Sequence, residues 1–203
     1  MILLALILQG GCFPTFENAL PVPQGLRVDE EILGAWICPE KPGKGEVLLV
    51  FPRSNGWVNI YYFEYDAGSQ RGGSFSLACE GYTVDVKKER FLCYRYLKEP
   101  SWDGQGEKPK REPFRIARYA INAKGNLEVD LFSRNAVKEL VEKGTLKGTV
   151  TVRQRKFDNP EPEVHVTSSS EELLKALTEL GPSRFINGKA WVLQRFDHKH
   201  LLR

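Results

Sequence analysis

The sequence predicts a mainly β fold with two short α-helices, built as an antiparallel β-barrel or a strongly curved sheet. Three observations carry this expectation. Short segments with period-two alternation of apolar and polar residues recur from Ile32 to Phe196, each bounded by Gly, Pro, Asn or Asp. Only two stretches, near Asn135 and after Ser169, carry a helical apolar stripe. Closing such strands into a barrel leaves no exposed edge for another chain to pair with. With 203 residues there is enough chain for one domain with a real core.

The first predicted strand follows Asp29, where Ile32, Trp36 and Cys38 share one parity and Gly34 allows close backbone approach. Glu46–Phe51 is a continuous apolar run, and the turn cluster Pro52–Gly56 leads into Trp57–Tyr65. There Trp57, Tyr61, Phe63 and Tyr65 fall on one face, with Asn59 among them; Val58, Ile60 and Tyr62 fall on the other with Glu64. The aromatic face is read either as a wall around an internal ligand or as core packing. Ser74–Val86 and Arg90–Leu97 read as strands around a turn at Lys87–Glu89, with alternation in Phe75, Leu77 and Cys79 and again in Leu92, Tyr94 and Tyr96. Glu99–Pro113 is a long Pro/Gly-rich loop; its Trp102 is a recognition candidate, and its Lys108–Arg111 cluster reads as solvated.

Phe114–Asn122 and Leu127–Phe132 form a predicted hairpin around Gly125. A helix is expected from an Asn135 cap to Gly144, with Ala136, Val137, Leu140 and Val141 as its apolar stripe. Leu146–Arg155 and Val164–Thr167 are strands on either side of a Pro-containing loop. The second helix has a capping box, Ser169 with Glu172, a stripe of Leu173, Leu174, Leu177 and Leu180, and a Gly181-Pro182 stop. Ala190–Phe196 is the last strand.

Gly34-Ala35-Trp36 resembles the G-x-W motif that opens the first strand of lipocalins. That resemblance implies an eight-stranded barrel with one end closed by Trp36. It also implies a basic residue of the last strand packed on that Trp, a role that falls to Arg195 in Trp191–Phe196. Gly34, Trp36 and Arg195 are thus the expected structural residues. The T-D-Y signature of lipocalins is missing, and the helix after Asn135 is an addition to their plan.

The apolar run Ile2–Leu8 is far shorter than the ~20 residues that span a bilayer and has the size of a signal-peptide core. Leu8–Cys12 resembles the lipobox of bacterial lipoproteins, with Gln9 where Leu is usual and no basic residue ahead of the run; a start upstream of Met1 would account for both gaps. The resemblance implies a signal over residues 1–11, acylation (palmitate) of Cys12, and a tether over 12–28 broken by Pro14, Pro21 and Pro23. One domain over 29–197 and a tail over 198–203 follow. Phe13 in place of Asp implies the outer membrane, facing the periplasm. The alternatives are a secretory leader without lipid and a core element with Cys12 as a buried thiol. The latter half is similar to a group of uncharacterised bacterial lipoproteins through Phe114, Ala117, Arg118 and Tyr119, then Leu140–Gly148, then Val166–Leu177. That likeness implies an address and no mechanism.

Among the other cysteines, Cys79 and Cys93 lie on successive strands and so have the placement for a disulfide; Cys38 with either of them, or three free thiols, are the alternatives. No spacing suits zinc. A net charge of +3, with both signs interspersed, predicts no nucleic-acid partner. There is no G-x-S-x-G elbow and no P-loop, and His165, His198 and His200 have no evident catalytic companion. The expectation is a non-enzymatic, lipid-anchored binding module without a cofactor, holding an apolar small molecule or lipid. Its interior would draw on Trp36, Trp57, Tyr61, Phe63, Tyr94 and Tyr96. The alternative is a structural component of an envelope protein complex.

Overall fold

A computed structural model describes residues 13–41, 44–66, 74–97, 112–153, 161–186 and 190–196. Expectations placed on Met1–Cys12, Trp102, Lys108–Arg111, His198 and His200 lie outside the described residues. Among the described residues the strands are β1 (Thr15–Phe16), β2 (Gly34–Lys41), β3 (Lys44–Pro52), β4 (Val58–Asp66), β5 (Ser74–Val86), β6 (Glu89–Tyr96), β7 (Arg115–Ile121), β8 (Leu127–Leu131), β9 (Gly148–Arg153), β10 (Glu161–Val166) and β11 (Trp191–Arg195). Helix α1 spans Arg134–Glu142 between β8 and β9, and α2 spans Ser170–Leu180 between β10 and β11.

Eight strands close an antiparallel barrel in the order β11-β2-β3-β4-β5-β6-β7-β8. The last strand seals it: β11 pairs with β8 through Trp191↔Val129 and with β2 through Arg195↔Trp36. The mainly β, two-helix, lipocalin-like barrel is therefore the fold. A second sheet, β1-β10-β9, lies outside it and was not expected.

Alternation sorts the side chains into two cores. Inside the barrel lie Trp36, Val50, Ile60, Leu92, Tyr94, Tyr119, Leu127 and Leu193. Outside, against the wall made by β5, β6 and β7, lie Tyr82, Val84, Phe91, Cys93 and Ile116, joined by Phe132 and Phe185 and by Val137, Leu140, Leu173 and Leu177 from the helices. The wall is apolar on both faces because the helices and the second sheet roof its outer side. Phe132 is the hub of this outer layer, with ring centroids of Phe16, Phe91 and Phe185 at 6.0, 6.2 and 5.1 Å.

Three expectations are corrected. Residues 13–28 are not a free tether. Phe16 and Leu20 are buried, β1 pairs with β10, and the Phe16 and Phe114 backbones exchange hydrogen bonds of 2.9 and 2.8 Å. Tyr82 donates its hydroxyl hydrogen to the Leu20 carbonyl. Proline breaks periodicity, but an irregular chain still buries apolar residues where an open sheet edge accepts its backbone. This strap continues across the β3–β4 turn, where a side chain at Gly56 would strike the Leu26 carbonyl oxygen. Second, Ser133 rather than Asn135 caps α1, its hydroxyl accepting from the Ala136 amide. The capping box of α2 forms as expected.

Third, Cys79 and Cys93 are not bridged. Cys79 stands opposite Tyr96 and Cys93 opposite Tyr82, so they are offset along the hairpin. They also face opposite sides of the wall, Cys79 inward and Cys93 outward. Cys79 and Cys93 are both free thiols.

Candidate functional site

One end of the barrel is closed, and it is built from the residues that sequence pointed to. Gly34 takes φ 117°, a conformation that favours glycine, and brings the chain into β2. Trp36 is fully buried and donates from Nε1 to the Ile32 carbonyl at 2.8 Å. The Arg195 guanidinium sits 4.6 Å from the Trp36 ring centroid and donates to the Glu31 carbonyl at 3.1 Å. A second stack stands beside it, with Arg90 5.2 Å from the Tyr119 ring centroid. Tyr119 donates to Asp29 at 2.7 Å, and Arg90 pairs with Asp29 and Glu31. Burial, then the hydrogen bond to Asp29, push the Tyr119 phenol up, so it stays protonated.

Above this floor runs a cavity of about 70 Å³. Its walls include Leu48, Ile60, Tyr62, Cys79, Tyr94, Ala117, Leu127 and Leu193, and its lining is almost wholly apolar. The volume is well below the roughly 300–1,000 Å³ of sites for drug-sized ligands, so only a small apolar occupant fits. The Cys79 thiol in its wall is pushed up to about 12 by burial, with Arg115 opposing, and is therefore not a ready thiolate nucleophile at neutral pH.

At the upper end Trp191 and Leu131 flank Tyr62, and Phe13 closes on them with its ring edge-on to Trp191 at 6.5 Å. Arg115 enters the barrel one register step above the cavity. It shares the inward parity of Ala117 and Tyr119 and is the cross-strand partner of Tyr94. It is 5% exposed, its guanidinium carbon lies 3.9 Å from the Tyr96 ring centroid, and its Nη1 has no hydrogen-bond partner among the described residues. Glu46, also buried, stands at an inward position of β3, which lies four strands away round the barrel; it has an interaction of its own.

The six expected ligand residues are divided by the structure. Tyr94 lines the cavity, Trp36 forms the floor beneath it, and Tyr96 lies above it against Arg115. Trp57 and Tyr61 are on the outer face: Trp57 packs on Tyr82 at 5.0 Å, and Tyr61 meets Phe51. Phe63 follows a register shift after Tyr62 and is not in the cavity wall. The inward face of β4 is Val58, Ile60 and Tyr62. The signal was available by counting register from Trp36, which stands opposite Leu48, which stands opposite Tyr62. The same counting places Arg115 as a charge on an apolar face.

A second hollow, of about 990 Å³ and open to solvent, lies on the outer wall. Its two arginines share one carboxylate. Glu80 accepts from Arg95 and Arg53, while Arg95 is stacked between Trp57 and Phe114 at 5.6 and 5.1 Å. Burial raises the Glu80 carboxyl, but the hydrogen bonds from Arg95 and Arg53 outweigh it and hold the group below its ordinary range. His165 is engaged with Thr15, its Nδ1 3.0 Å from Oγ1. Among the described residues no group of three or more His, Cys, Asp or Glu side chains is arranged to hold a metal ion. Compared with known proteins, the chain matches no family model, no curated protein and no solved structure.

Proposed function

We propose that this protein is a non-enzymatic binding module of the bacterial envelope, anchored through Cys12, which admits a slender apolar chain into its barrel. The observation that carries this reading is the apolar cavity between the Trp36–Arg195 floor and the Trp191–Phe13 mouth. An apolar space of this kind stays free of water and gains free energy from apolar occupants. The anchor reading draws support from the strap. Phe13, which follows Cys12 in the sequence, packs at the barrel mouth. An acyl group there would hold the mouth against the bilayer, where slender chains are abundant.

Titration with 1-octanol, followed through tryptophan fluorescence, tests the binding reading. Saturable binding is expected in the wild type and loss of it in Ala117→Leu, which fills the cavity. Failure of the wild type to bind would sink the reading. Cys12→Ser should abolish labelling by radioactive palmitate and release the protein from membranes; unchanged membrane association would overturn the anchor. The small cavity volume favours a second reading, a structural or assembly component of an envelope complex. Co-purification of one stoichiometric envelope protein, together with absence of octanol binding, would establish that reading instead.

A further inference from the structure

We propose that Arg115 is a head-group site that holds the carboxylate of a single-chain fatty acid whose tail occupies the barrel cavity. This rests on the binding reading above and names its ligand class. Arg118, Arg95 and Arg90 each meet a carboxylate: Asp130 for Arg118, Glu80 for Arg95, Asp29 and Glu31 for Arg90. Their side chains keep between 15% and 33% of their surface exposed. Arg115 is more buried than any of these, at 5% exposed, and its Nη1 has no acceptor among the described residues. A buried charged donor without a partner is costly, and a fold retains one where something outside the chain supplies the acceptor.

The surroundings set the chemistry of that acceptor. The Tyr96 ring centroid lies 3.9 Å from the guanidinium carbon, so the ring lies against the group, while Nη1 keeps an N–H donor without an acceptor among the described residues. A planar carboxylate matches a guanidinium with two parallel hydrogen bonds, and both gain strength away from water. Directly below, Tyr94 and Ala117 begin the apolar wall. A ligand meeting both features needs an anionic head joined to one unbranched hydrocarbon chain, and the small cavity favours a short or medium chain. The outer-wall hollow lacks this combination, since its arginines already share Glu80.

The test compares three amphiphiles of equal chain length, octanoate, 1-octanol and octyltrimethylammonium, by titration calorimetry on wild type, Arg115→Met and Arg115→Lys. In the wild type octanoate should bind about tenfold tighter than octanol, with octyltrimethylammonium weakest. Arg115→Met should bind octanol as before and lose the preference for octanoate, while Arg115→Lys keeps part of it. A wild type that binds octanol and octanoate equally overturns the proposal while leaving the cavity reading intact; this arm needs no variant to fold. An Arg115→Met protein that folds and retains the full preference also overturns it. A wild type that binds none of the three overturns both readings.

Discussion

One wall, β5 to β7, separates two apolar cores that are packed differently. On its outer side Phe132 is surrounded by Phe16, Phe91 and Phe185, and the helices close over them. On its inner side the barrel keeps a space of about 70 Å³ among aliphatic and tyrosine side chains. The outer layer thus resembles the core of an ordinary α+β domain, and the barrel interior has slack. The difference teaches that closing a barrel and stabilising it are separable tasks. Here the outer core supplies packing that the interior leaves incomplete, which frees the interior to accept an occupant.

The sharpest way to break this contrast is truncation. Phe132→Ala should cost about 3–5 kcal/mol in urea unfolding, because it removes the ring that joins three others. A cost under 1 kcal/mol would show that the outer layer is not the stabilising one. Overfilling is the converse probe. Ala176→Leu, in the outer core, should destabilise by roughly 1–3 kcal/mol, whereas Ala117→Leu, beside the cavity, should be neutral or mildly stabilising. Equal losses at the two sites would erase the distinction. A smaller effect is expected at the floor: Arg195→Gln removes a partly exposed cation–π stack worth about 0.5–1 kcal/mol, read as a lowered thermal midpoint.

Glu80 gives a pH-dependent probe of the outer wall. Its folded-state carboxyl is held below the ordinary glutamate range, so its contribution is fully present above about pH 4.3 and is lost as pH falls through the lowered value. Glu80→Gln should therefore narrow the stability gap between neutral and acidic pH, and an unchanged acid limb would remove Glu80 from that account. The smallest expected effect is none. With Cys79 and Cys93 unbridged, a reducing agent should leave the unfolding transition unmoved, and a fall in midpoint would reveal a bridge.

Much of the fold was legible because it depends on local pattern. The strands, the two helices, the Ser169–Glu172 capping box and the Gly34–Trp36–Arg195 floor follow from residues whose roles are fixed by near neighbours or by one motif. The candidate site was legible only in part. Tyr94 lines the cavity and Trp36 lies beneath it, but the aromatic parity of β4 suggested Trp57, Tyr61 and Phe63, while Val58, Ile60 and Tyr62 face inward. Aromatic density is a poor guide to the inside when the outside is also roofed, as it is over Trp57. The strap escaped notice for a related reason. Phe16 is buried by partners about 100 and 150 residues away, Phe114 and Val166, and no periodicity within 12–28 records such contacts. Arg115 was missed because a single charge within a strand reads as a solvent-facing position until the register is counted from its neighbours.

Phe16 also has a mechanical role. Its backbone is joined to Phe114, just ahead of barrel strand β7, and, through its register with Val166, to the second sheet. It is a rivet through two plates. A pull applied at residue 13 is divided between both sheets at this residue before it loads a barrel strand, and the hydrogen bonds there must yield before the barrel is drawn open.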